Sequence, residues 1–129
     1  MKIKNTTNFS DRYISLMVGW ICRELRFRKS KIKKVTCRNT CINLSGLADI
    51  ENYEIILRIG PEHLYPAKFE EGLFLTDRYE GMIFVASHEI RHLDQKGIRY
   101  IEIDANEKAE EILDKFIADK EELMSKWSR

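Results

Sequence analysis

The chain has no run of eighteen apolar residues, no apolar stretch within its first ten residues MKIKNTTNFS, and no excess of charge of either sign. A membrane-spanning helix needs about twenty apolar residues and a secretory leader needs an apolar core followed by a small-residue cleavage site. A soluble, intracellular and cytoplasmic protein with no membrane partner is therefore expected. With 22 basic against 21 acidic residues, there is no global field to gather nucleic acid. The local basic stretch from Arg23 to Lys34 carries no aromatic ladder or binding motif, and reads as a solvated helix end and loop. Cysteine is scarce and odd in number, with only Cys22, Cys37 and Cys41, which suits reduced cytosolic thiols better than a disulfide framework. Cys37 and Cys41 lack two further ligands nearby, so they read as strand thiols flanking the turn Arg38-Asn39-Thr40 rather than as a metal pair.

Proline is as scarce. Pro61 and Pro66 bracket one loop, and no repeat, low-complexity tract or linker divides the chain. At this length residues 1–129 read as one domain, large enough for a single core and one site.

Local patterns point to an α+β fold with an N-terminal helix, a small three-stranded sheet, a central helix and a C-terminal helix. Ser10 is placed to cap a first helix whose apolar residues Ile14, Met17, Val18, Ile21, Cys22 and Leu25 recur at helical spacing. Three β-rich stretches follow: Ile32 to Cys37, Cys41 to Leu44, and Tyr53 to Ile59, the last ended by Gly60-Pro61. Thr76 is the expected cap of the central helix, and Gly97 breaks the pattern after it. A last long helix is expected from about Ile101 to Trp127, with Ala109, Ile112, Leu113, Phe116, Ile117, Met124 and Trp127 as its apolar stripe.

The central helix carries the most informative residues in the chain, His88-Glu89-Ile90-Arg91-His92. Histidines at i and i+4 lie about 40° apart around a helix axis, so both imidazoles can reach one Zn²⁺ while Glu89 stands beside them as a base. The chain has only three histidines. Around His88 the helix is apolar on more than one side: Ile83, Ala86, Ile90 and Leu93 lie roughly opposite, and Gly81, Phe84 and Val85 flank it. Such a helix sits mid-domain, covered on one side and lining a cleft on the other.

A catalytic zinc takes three protein ligands and leaves a fourth position for water. Helical phase favours Glu102 as the third, because Asn106, Ala109, Leu113 and Phe116 all fall within about 40° of it, at the end of the stripe that packs on the core. A carboxylate on a buried stripe needs a positive partner, which the metal would supply. Asp104 lies about 200° away and should face water; it and Asp94 are the alternatives. Asn106 either orients a ligand histidine through its ring N–H or is a polar residue at the cleft edge. His63 and Tyr65, in the loop after the third strand, are candidates to stabilise an oxyanion but read more simply as loop residues.

The pentapeptide followed by Glu102-Ile103-Asp104-Ala105-Asn106-Glu107-Lys108-Ala109 resembles the gluzincin pattern, H-E-x-x-H then E-x-x-A-[ND]-x-x-A. It is similar in particular to the compact minigluzincins, the SprT-like proteases and the ImmA/IrrE-type peptidases. The resemblance implies a zinc metallopeptidase acting on a peptide or protein substrate, with zinc on His88, His92 and Glu102, water activation by Glu89, and Asn106 orienting a ligand histidine. It also implies that Tyr53 to Ile59 forms the sheet edge above the motif helix, where a substrate adds as a strand. Two other classes compete: a non-catalytic regulatory or binding module that keeps a structural zinc site, and a small nucleic-acid-binding domain built on Arg23 to Lys34.

Overall fold

The computed structural model describes residues 1–40, 43–69 and 72–129. It is α+β, as expected, with a four-stranded mixed sheet, a two-stranded sheet and four α-helices among the described residues. The main sheet has the order β1 (Lys2–Asn5), β2 (Lys34–Arg38), β4 (Glu54–Arg58), β3 (Ser45–Asp49). β1 and β4 both run parallel to β2, and β3 returns antiparallel on β4.

Alternation along these strands decides which face is covered. Val35 pairs with Ile55 and Cys37 with Leu57, and all four are buried. On the same face Gly46 pairs with Leu57 and Ala48 with Ile55. That face packs on α1 (Asp11–Leu25) and α2 (Arg78–Leu93) through Ile14, Met17, Val18, Met82, Ile83 and Ala86, all buried.

Two expectations about the sheet change. β1 escapes the sequence reading because Lys-Ile-Lys-Asn is short and charged, and only its pairing with β2 makes it a strand. β4, paired with β2 on one side and β3 on the other, is an interior strand, and the edges of the sheet are β1 and, over α2, β3. Of the stretch expected at Cys41 to Leu44, Cys41 and Ile42 lie outside the described residues and Asn43 and Leu44 are not in a strand; the strand that follows is Ser45–Asp49, whose Ser-Gly-Leu-Ala-Asp has little intrinsic β tendency. Tertiary pairing with β4 makes that strand.

Ser10 caps α1 as expected, its hydroxyl accepting from the Tyr13 N–H at 3.0 Å. Asp77, not Thr76, caps α2, accepting from the Glu80 N–H at 3.0 Å. The Thr76 hydroxyl donates instead to Glu80, a buried carboxylate that also accepts from Lys120 Nζ at 2.6 Å. The C-terminal helix is two helices, α3 (Ile101–Ala118) and α4 (Lys120–Trp127), broken at Asp119. The break turns Trp127 back into the core against Tyr13, Trp20 and Phe116. It also leaves Ile117, expected on the stripe, exposed. Among the described residues no helix is long and apolar enough to cross a membrane.

Candidate metal centre

α2 lies against β3 and β4 on one side and α3 on another, with ten of its sixteen residues buried. Its last two turns present His88, Glu89 and His92 to a cleft between the free edge strand β3 and the first turn of α3. The two Nε2 atoms of His88 and His92 are 3.0 Å apart. Glu102, from the first turn of α3, places one carboxylate oxygen 2.8 Å from His92 Nε2 and the other 3.6 Å from His88 Nε2.

This donor set suits a divalent cation. Tetrahedral ligands at zinc distances are about 3.4 Å from one another, and the three observed separations fall on either side of that value. Two imidazole lone pairs and one carboxylate, all converging, repel one another unless a cation stands between them.

The lone pairs are aimed by neighbours. Gln95 Oε1 lies 2.5 Å from His92 Nδ1. The Gln95 amide nitrogen faces two acceptors, the Ile101 carbonyl at 2.5 Å and Asp104 Oδ2 at 3.1 Å, so the oxygen must face the ring. Nδ1 of His92 is thereby the donor and Nε2 keeps its lone pair. Asn106 interacts with the His88 side chain and also lines the adjoining cavity. Burial and then the proximity of His92 hold the His88 pKa below its ordinary value, against the opposing pull of Glu102 and Asn106. A neutral imidazole is the form that ligates.

Glu89 is buried, and burial pushes its pKa up to about 7, with His92 lowering it and Glu102 raising it. A bound dication would oppose that burial, so the value describes the metal-free cleft. Directly across from Glu89 lies Gly46 of β3, where a Cβ would stand 2.6 Å from Glu89 Cγ and Oε2 and 2.7 Å from Val85 Cγ2. The edge strand can approach the glutamate only because position 46 has no side chain. Gly46→Ala should therefore displace Glu89 by a fraction of an ångström to an ångström. The peptidase turnover that the sequence resemblance implies should then fall by about a hundredfold, with any bound zinc retained; unchanged turnover in Gly46→Ala would show that the glutamate need not be held there.

The expected residues His88, Glu89, His92 and Glu102 thus converge, while other expectations are corrected. The Glu102 side chain is 68% exposed rather than buried. The packed stripe begins one turn later, with buried Ala105, Ala109, Ile112, Leu113 and Phe116, and the first turn of α3 overhangs the cleft. Asp104 does not simply face water. It takes two bonds from Arg91, Nε to Oδ2 at 2.5 Å and Nη2 to Oδ1 at 3.1 Å, and its side chain is only 20% exposed. Asp94 meets Arg91 at 3.5 Å and is not part of the converging group. Tyr65 packs its hydroxyl against Gly81, where a Cβ would lie 2.4 Å away, about 10 Å along the helix from His88. His63 is exposed in the short 3-10 turn Glu62–Leu64. Neither lines the cleft.

Family models, curated proteins and solved structures give no match to this chain. The reading of the cleft therefore rests on its own residues. Gln95 and Gly46 are the two participants that sequence reasoning missed. Gln95 carries a weak signal, its place one turn after His92; Gly46 carries none until β3 is laid over α2.

Proposed function

We propose that the chain is a cytoplasmic zinc-dependent metallopeptidase of gluzincin type, with His88, His92 and Glu102 holding the metal. The convergence of those three side chains beside a buried glutamate carries the reading. Bound zinc would acidify a water and polarise the substrate carbonyl. Glu89 would take the proton of that water and pass it to the departing amine, which asks for a group able to hold a proton near neutral pH. His88 and His92 would present their Nε2 atoms to the metal, the His92 ring aimed by Gln95.

The remaining shape suits an extended peptide. β3 is paired on one side only, so its other edge offers backbone donors and acceptors alongside the cleft. Next to Glu89 a cavity of about 800 Å³ is walled by Leu44, Leu64, Phe69, Leu73 and Phe84, room for a bulky apolar side chain beside the scissile bond.

The test is metal analysis of the purified protein together with cleavage of casein. About one zinc per chain near neutral pH is expected, lost on acidification as the histidines protonate. Cleavage should stop with a chelator and return with zinc. Absence of zinc would overturn the metal assignment; zinc with no cleavage would make the site a structural clamp on a non-catalytic module.

A further inference from the structure

We infer that Gln95 is a positioning residue that joins the second metal ligand to the third, an inference that rests on the metal site proposed above. Only nine residues separate His92 from Glu102, and Lys96, Gly97, Arg99 and Tyr100 among them are exposed. Those exposed residues cannot fix where α3 begins. Gln95 is buried at 7% exposure in the middle of this connection.

Its one amide makes three contacts that no other described residue links. The oxygen accepts from His92 Nδ1 at 2.5 Å, and the nitrogen donates to the Ile101 carbonyl at 2.5 Å and to Asp104 Oδ2 at 3.1 Å. Ile101 immediately precedes Glu102. One side chain therefore sets the tautomer of one ligand and ties down the backbone that presents the next. Asp104 is fixed in turn by the two bonds from Arg91, whose side chain is 14% exposed and springs from α2 one residue before His92. The connections run from α2 through Arg91 and Asp104 to Gln95, and from there back to α2 at His92 and forward to α3 at Ile101. Arg91, a charge inside the pentapeptide, is accounted for by this closure. Packing of Ala105 and Ala109 sets how closely α3 approaches α2, but these residues lie beyond the first turn and do not hold Glu102 at the histidines.

The experiment compares wild type, Gln95→Ala and Gln95→Glu, with retention of the fold checked by circular dichroism. In metal-free protein, ring ¹⁵N shifts report the His92 tautomer; zinc affinity is measured by competition with a fluorescent chelator, and the Co²⁺ absorption spectrum reports ligand geometry. Gln95→Ala should lose the Nδ1–H preference of His92, bind zinc about 10–100-fold more weakly and alter the Co²⁺ spectrum. Gln95→Glu keeps an acceptor for the ring but cannot donate to Ile101 and is repelled by Asp104. It should preserve the tautomer while still weakening zinc by about tenfold. If Gln95→Ala does not fold, the glutamate variant decides alone. An unchanged tautomer and zinc affinity in folded Gln95→Ala, or unchanged zinc affinity in Gln95→Glu, would overturn the assignment. Failure of the wild type to bind zinc would instead remove the metal reading, and the tautomer measurement on metal-free protein would still be decided on its own.

Discussion

Glu89→Gln is expected to bind one zinc per chain as the wild type does and to cleave casein on the order of a thousandfold more slowly. The substitution is nearly isosteric, so it preserves the fit beneath Gly46 and beside Val85. It removes only the capacity to accept and return a proton. Glu89 is not one of the three residues whose ligand atoms converge, so zinc should stay. Loss of zinc in this variant would make Glu89 a ligand, and near-normal cleavage would move the base to another residue. A buried carboxylate whose ordinary pKa is pushed up to about 7 also loses little when made neutral. The folded protein should therefore tolerate the change, and the effect should appear in turnover alone.

Glu102→Ala should weaken zinc by more than the roughly 10–100-fold typical of losing an outer hydrogen-bond partner, because a bond to the metal itself is lost. Its exposure separates this effect from folding. With the side chain 68% in solvent, removal should change the stability of metal-free protein by no more than about 0.5 kcal/mol. With zinc at a hundred times its dissociation constant, however, the wild type gains about 2.7 kcal/mol that the variant should largely forfeit. Thermal melts with and without zinc measure the difference. Asp104→Ala should differ in already destabilising the metal-free protein, by about 1–3 kcal/mol, as Arg91 and Gln95 both lose an acceptor in a largely buried site. A Glu102→Ala protein with an intact zinc-induced rise in melting temperature would end the assignment of Glu102.

What the residues disclosed in advance depended on how local the determining forces are. The i, i+4 spacing of His88 and His92 is a property of one helix, and the azimuth of Glu102 relative to Asn106 and Ala109 is a property of another. Both were legible, as was the capped helix begun by Ser10. Whether Glu102 is buried depends on where α3 starts to touch its neighbours. That contact begins at Ala105, and no periodicity within the helix marks the place. The edge position that the resemblance implies for Tyr53 to Ile59 falls to another segment for a related reason: Ser45–Asp49 has little β tendency of its own and becomes the edge strand only through pairing with Glu54–Arg58. Lys2–Asn5 likewise owes its strand to a partner more than thirty positions on. Its angle on the helix alone would put Asp104 in solvent. Arg91, thirteen positions earlier on a different helix, reaches across and claims it.

The clasp formed by Lys120 on Asp77 and Glu80 bears on how the proposed metal site opens. It fastens the start of α2 to α4, and α4 is itself anchored by Trp127 packed on α1. The backbone amides of α2 are therefore shielded by segments from both ends of the sequence, and their exchange with solvent deuterium requires the domain to come apart as a unit. The exposed connection from Lys96 to Tyr100 has no such protection. Two of the proposed ligands thus ride on a segment expected to exchange slowly, and the third follows one expected to exchange fast. Metal occupancy would then be written into the exchange rates of the first turn of α3, while those of α2 follow global stability.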